Sequence, residues 1–204
     1  MDLPERIVLA SANPAKAREL AAVLDSALPS RVILEPRPEW VPEVDEDAED
    51  FEGNARLKAV ALCEATGLAS LSDDSGLEVD GLGGRPGVHS ARYAGPDAGD
   101  AENVRKLLRE LSGVPADDVR RAARFRCVVV LRTPGGAEVV ASGSVEGHIA
   151  TATRGQGGFG YDPVFVPTDG DGRTFGEMDA GEKHSISHRG RALAELAALL
   201  GAPT

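Results

Sequence analysis

Five oxygen-bearing side chains fall within eight residues where the chain reads DDSGLEVD: Asp73, Asp74, Ser75, Glu78 and Asp80. The short apolar run at 68–71 ahead of them follows a helix-stopping Gly67 and reads as a buried strand, with a glycine-rich turn behind. Consecutive strand side chains point to opposite faces, so Asp73 and Asp74 cannot look into the same cleft while the chain is extended. One is expected to be oriented by the protein interior, which leaves the other for chemistry. A carboxylate beside a hydroxyl at a strand end is what a hard cation needs for anchoring. An acidic surface turn is the competing reading.

Positive charge stands where helix electrostatics disfavours it. Residues 7–10 read as a strand, Asn13 suits an N-cap and Pro14 the first helical position. Ala17, Leu20, Leu24, Ala27 and Leu28 then give the helix an apolar stripe. Strand, tight loop and helix N-terminus together make an anion site. Lys16 in the first turn works against the dipole, and a phosphate in that place explains it; a solvated lysine on an ordinary helix is the plainer account. At the other end of the chain, EKHSISHRGRALAELAALL closes in a helix carrying Leu193, Leu196 and Leu200. A cap at Ser185 or Ser187 leaves His188 and Arg189 in its first turn, with Lys183 just before. Three clustered donors suit an acceptor-rich ligand; the alternative is a surface cap with Arg189 paired to a carboxylate.

Two further stretches carry chemistry. Residues 43–52 hold seven acids, a solvated face that also stabilises the start of a helix over 51–66. That helix buries Phe51, Ala55, Ala59 and Leu62, while Asn54 and Lys58, four apart, share a different face. The segment GQGGFGYDPVF, 155–165, has four glycines in its first six residues and places Phe159 and Tyr161 among them. The rings could be a platform for a base, or a turn with its aromatics tucked into the core.

The elements that must position these groups alternate in type. A second strand is expected over 31–35, a short amphipathic helix over 102–111, and a strand over 125–131. A Pro134-Gly135-Gly136 turn makes a hairpin with 138–142, and another strand follows around 144–149. The spacing alone gives an α/β protein. A chain of 204 residues supports one good core, in one domain or a domain with two lobes. A net charge of −11 argues against nucleic acid as a partner, since phosphate backbones need a basic face. A small phosphorylated ligand remains compatible if local cations and a metal cancel the repulsion. Cys63 and Cys127 form neither a disulfide framework nor a zinc spacing and read as buried thiols. No apolar run reaches a membrane span, and nothing resembles a signal peptide, so a soluble cytoplasmic protein is expected.

Taken together and in order, these segments closely resemble one family, the inosine/xanthosine triphosphate pyrophosphatases that act on noncanonical purine nucleoside triphosphates. The resemblance covers essentially the whole chain. It is carried by SANPAKAREL (11–20), FEGNARLKA (51–59), SDDSGLEVDGLGGRPGVHSARYAG (72–95), GGFGYDPVF (157–165) and EKHSISHRGRAL (182–193). It implies an elongated mixed sheet flanked by helices, a single domain over 1–204 with two lobes around a central cleft, and a homodimer.

Residue by residue, the resemblance puts Ser11, Ala12, Asn13, Pro14, Ala15 and Lys16 against a triphosphate, with Lys58 as a second cation. Glu46 falls on a metal-binding acid, Asp74 on the catalytic carboxylate that also meets the metal, and Ser75 on a substrate contact. Phe159, Gly160, Tyr161 and Asp162 are expected at the nucleoside, and Lys183, His188 and Arg189 at the base. The implied reaction is Mg²⁺-dependent hydrolysis of ITP, dITP or XTP to the nucleoside monophosphate and pyrophosphate. Donors such as Lys183 and Arg189 match the 6-oxo acceptor of hypoxanthine or xanthine and mismatch the 6-amino group of adenine. The chain departs from the family pattern at Asp50, where Thr is common, at His89 and His184, and at Val145-Glu146-Gly147, where Trp-Pro-Gly is usual. A pyrophosphatase of the Maf type for modified nucleotides is the second reading, although the SHR and FGYDP motifs count against it. A nucleotide-binding protein without catalysis is the third, and the presence of Asp74 and Glu46 counts against that.

Overall fold

The computed structural model describes residues 4–11, 24 and 32–201. The helix start expected at Asn13, with Ala12, Pro14, Ala15 and Lys16, therefore lies outside the described residues. Leu24 is helical and buried. The strands are β1 (Arg6–Leu9), β2 (Ile33–Glu35), β3 (Ala69–Val79), β4 (Ala122–Arg132), β5 (Glu138–Ile149) and β6 (Phe165–Pro167). They form one sheet in the order β2-β1-β3-β4-β5-β6. It is mixed, since β1 runs parallel to β2 and β3 while β6 runs antiparallel to β5. Helices α1 (Phe51–Thr66), α2 (Asp100–Glu110), α3 (Ala180–Ile186) and α4 (His188–Leu199) flank it. No helix among the described residues is long and apolar enough to cross a membrane.

The chain forms two compact units. One comprises Met1–Asp74, Cys127–Gly143 and Arg189–Thr204; the other comprises Ser75–Arg126 and Ser144–His188. In the first, strand alternation sorts the side chains cleanly. Ile7, Leu9, Ala69, Leu71, Cys127, Val129 and Leu131 pack with Ala192, Leu193 and Leu196 of α4. On the opposite face Val8 and Ala10 pack with Val41 and Leu62 of α1. The second unit has its own core, in which Leu77, Val79, Phe125, Val145 and Ile149 meet Leu107 of α2, Tyr161, Phe165 and Phe175. Phe125 and Phe165 lie 4.7 Å apart between ring centroids, in a tilted arrangement suited to their quadrupoles.

The strand expected to end near residue 71 instead runs to Val79. Leu77 and Val79 are wholly buried in the second core, and that apolar alternation carries the strand past its acids. Asp73 and Asp74 therefore sit within a strand rather than at its end, and the turn begins only at the short 3₁₀ segment Asp80–Leu82. Residues 138–149 form one strand rather than two. Val145, in place of the usual Trp, is buried there, and the retained Gly147 is required, since a Cβ on it would stand 2.3 Å from the Val166 carbonyl oxygen. The break before the last helix is at Ser187, whose extended backbone separates α3 from α4 while its N–H caps the Lys183 carbonyl at 2.9 Å. His188 and Arg189 do open the final helix.

Candidate active site

Helix α1 carries Asn54 and Lys58 of the first group of functional side chains, and its ends are sharply specified. The Asp50 carboxylate accepts from the Gly53 N–H at 2.7 Å, and Gly67 closes the helix in the left-handed conformation. Asn54 and Lys58 share a face, as their spacing requires. That face is turned inward, however: Asn54 is completely buried. Its side-chain oxygen accepts from the Ala48 N–H at 3.0 Å, and its amide nitrogen donates to Asp74 Oδ2 at 3.2 Å. One amide thus fixes the acidic loop two residues from Glu46 and orients the Asp74 carboxylate.

Lys58 completes the group. Its ammonium lies 3.2 Å from Glu46 Oε1 and 3.6 Å from Asp74 Oδ1. Burial pushes that ammonium's pKa down, but the charges of Asp74, Asp73 and Glu46 outweigh it and hold the group above the ordinary lysine value. Lys58 is a firm cation. Ser11 follows Ala10, whose N–H donates to the Leu71 carbonyl at 2.8 Å, so the start of the expected phosphate loop is tied to β3.

Asp73 and Asp74 divide as strand alternation demands. Asp74 faces α1, whereas Asp73 faces α4, where Arg189 Nε lies 3.4 Å from its Oδ2. Both side chains are almost fully buried, Arg189 at 1% exposure and Asp73 at 2%. Ser75, next along β3, is half-buried and belongs to the second unit.

The second group lies in the second unit. Lys183 Nζ is 2.8 Å from Asp162 Oδ2, in a buried pair, and stands 4.7 Å over the Phe159 ring. The same Asp162 oxygen accepts from the Phe159 N–H at 2.9 Å. Gly158 and Gly160 have φ of +73° and +60°, a conformation glycine adopts without strain, so the chain can curl around this carboxylate. Phe159 is half-buried, with the cation against its face. Tyr161 is a core residue: its hydroxyl donates to the Ser90 carbonyl at 2.9 Å, and burial above all lifts its phenol far above the usual range. His188 is buried and stacks on Phe125, ring centroids 4.7 Å apart.

The fold thus brings Lys58, expected at a triphosphate, to Glu46 and Asp74, expected at a metal, and brings Lys183, expected at the base, to Phe159 and Asp162, expected at the nucleoside. The shared face of Asn54 and Lys58 is readable from their spacing, but not that Asn54 is buried and bonded to Asp74. The sequence names no partner for Asp73, and that partner turns out to be Arg189.

Comparisons with known proteins give the family. The model of the Ham1 family matches residues 7–199. This chain belongs to the Ham1 family. A dITP/XTP pyrophosphatase of Geobacter sulfurreducens is 48% identical over 196 residues, covering 96% of each chain. One from Bacillus licheniformis is 45% identical over 197 residues, covering 96% of this chain and 98% of its own. Among solved structures, a HAM1 protein from Coxiella burnetii superposes with a TM-score of 0.85 at 42% identity, over 96% of this chain and 98% of that one.

Proposed function

We propose that this Ham1-family chain hydrolyses noncanonical purine nucleoside triphosphates, ITP, dITP and XTP among them, to the monophosphate and pyrophosphate. The observation that carries the proposal is Asp74: a carboxylate 5% exposed on β3, with an amide at 3.2 Å and a partly buried ammonium at 3.6 Å. A carboxylate held so, beside a cation and a second acid, is equipped to take a proton from water next to a polyanion. The names of the Geobacter and Bacillus relatives support the same reaction.

The donor set also fits a divalent cation. Glu46 and Asp74 already converge on one positive charge, the Lys58 ammonium. Mg²⁺ is commonly held by one or two carboxylates, with substrate phosphates and waters completing its octahedron. Glu46 and Asp74 would hold Mg²⁺, which would neutralise phosphate charge in an acidic protein. Everything else is work for the side chains. Asp74 accepts a proton from the attacking water as its oxygen bonds to the α-phosphorus. The bond from that phosphorus to the bridging oxygen breaks, and pyrophosphate departs. Lys58, with Lys16 and the loop of Ser11, Ala12, Asn13, Pro14 and Ala15, offsets the charge of the leaving group.

Base recognition falls to the second group in this reading. An ammonium has three donors, so Lys183 can serve both Asp162 and the 6-oxo group of a purine. Phe159 offers the purine a face, and Gly160 and Asp162 hold the turn that presents it. Tyr161 acts from behind as a core post. His188, buried against Phe125, backs this group within the second unit, whereas Arg189, paired with Asp73, belongs to the first. The test is pyrophosphate release from ITP, XTP, dITP, GTP and ATP, with Mg²⁺ and with EDTA. Mg²⁺-dependent turnover of the 6-oxo noncanonical nucleotides, with ATP and GTP spared and Asp74→Asn slowed at least ~100-fold, is the expected result. Equal turnover of all five would remove the role given to Lys183, and near-normal turnover by Asp74→Asn would remove that given to Asp74.

A further inference from the structure

The turn that presents Phe159 is tethered by two acids, and only Asp162 belongs to the group described so far. The other is Asp100, the first residue of α2, sixty residues away in sequence. Its Oδ2 accepts from the Gly160 N–H at 2.6 Å. We propose that Asp100 is a positioning residue for base recognition, fixing the peptide between Phe159 and Gly160 and through it the Phe159 ring. The proposal rests on the function given above, and it extends that function to a residue outside the ligand-facing group.

The Phe159–Gly160 peptide has two polar ends. Its carbonyl accepts from the Asp162 N–H at 3.3 Å, within the turn itself. Its N–H reaches outward to Asp100. Gly160 has φ of +60°, and a Cβ placed on it would meet nothing within 4 Å, so no packing on that side restrains the peptide. A glycine moves easily between backbone basins, which makes the external bond the restraint that selects this one. The 3.3 Å bond is long, whereas a 2.6 Å bond to a carboxylate is charge-assisted and belongs to the stronger class.

Asp100 is itself well held. The Gly99 N–H just before it is capped by Glu102 Oε2 at 3.1 Å, and an acid at the first helical position is favoured by the helix dipole. The tether thus runs from a fixed helix end to a turn of four small or ring-bearing residues. On the far side of the ring, Lys183 lies 4.7 Å from its centroid. With one face of Phe159 set by Lys183 and its backbone set by Asp100, the ring has a defined position toward a purine. Pre-organisation of this kind acts on binding more than on the chemical step.

An exposed acid at a helix start has a second possible task, that of merely stabilising the helix. Two variants separate the tasks. Asp100→Ala removes both charge and acceptor, whereas Asp100→Asn removes the charge but keeps an acceptor for Gly160. The measurements are the Gly160 amide proton shift by NMR, and KM and kcat for ITP and ATP, all on the full chain. In Asp100→Ala the amide moves upfield, KM for ITP rises about tenfold with kcat within about threefold, and discrimination against ATP narrows, as loss of about one such hydrogen bond predicts. Asp100→Asn restores KM to within about threefold of the parent value. The proposal is overturned if the Asp100→Ala amide moves while KM and discrimination stay put, if the Asn variant behaves like Ala, or if only kcat falls. Should the parent protein hydrolyse no 6-oxo purine triphosphate, the functional reading itself falls and takes this role with it. The amide shift would then report the tether alone.

Discussion

Replacing Asp73 by Asn is the sharpest test of how the two adjacent acids divide their work. The substitution keeps the shape of the side chain and removes one charge facing a guanidinium 3.4 Å away. At that separation, with an effective dielectric of about 20, the lost attraction is about 5 kcal/mol. Part of it is returned, because a neutral amide is far cheaper to bury than a carboxylate, and Arg189 retains other contacts. Breaking one side of a buried ion pair costs about 3–5 kcal/mol in practice, so a loss of about 3–4 kcal/mol is expected here. For a chain of this length that lowers the melting temperature by roughly 10 °C. A cycle of Asp73→Asn, Arg189→Met and the double variant, read by urea unfolding, should give a coupling of at least about 2 kcal/mol. Since Asp73 faces α4 while Asp74 faces α1, kcat of the folded Asp73→Asn protein should stay within about threefold of the parent, against the ~100-fold or larger loss in Asp74→Asn. Additivity within about 0.5 kcal/mol would refute the pairing argument, and a collapse of kcat in a stable Asp73→Asn protein would refute the division of faces.

Two further predictions concern stability rather than catalysis. The chain has only two tyrosines, and both are expected to resist ionisation. Burial, followed by the hydrogen bond to Glu110, pushes Tyr93 up to about 12, and burial lifts Tyr161 further. In the unfolded chain both phenols ionise near 10. Above that pH the unfolded state loses protons first, so the stability they confer is full below about pH 10 and drains away as pH rises toward 12. Absorbance at 295 nm should show no reversible phenolate step near pH 10 while circular dichroism stays native; such a step would refute the burial argument. The second prediction is Arg121, 3% exposed, whose guanidinium donates to the carbonyls of Leu111, Val114, Pro115, Ile149 and Ala150 at 3.0–3.2 Å. Arg121→Met should cost about 3 kcal/mol, since it takes a donor from five carbonyls at once, those of Leu111 and Ile149 on buried residues. Arg121→Lys should recover little, because an ammonium lacks the planar fork. A lysine variant with a parent-like urea midpoint would sink this account.

What the sequence disclosed and what it withheld have distinct physical causes. Helix α1 was readable to the residue because its signals are local: an acidic N-cap, an apolar stripe, a glycine stop. The opposite orientation of Asp73 and Asp74 was readable too, since strand alternation needs no partner to be named. The extent of β3 was not. Its second half looks like a turn when judged by composition, and only the burial of Leu77 and Val79 in another core shows why it stays extended. The inward turn of Asn54 was hidden for a similar reason, because a buried amide is stable only if its partners exist, and Ala48 and Asp74 lie in other elements. Arg189 makes the point most fully. In the sequence it stands as a cation at a helix start, open to a ligand or to a carboxylate on equal terms. The fold places it against Asp73, 116 residues earlier. Long-range pairs of this kind are what convert a string of suggestive residues into an oriented site. They also explain why Asp100, unremarked in the sequence, holds the turn that carries Phe159.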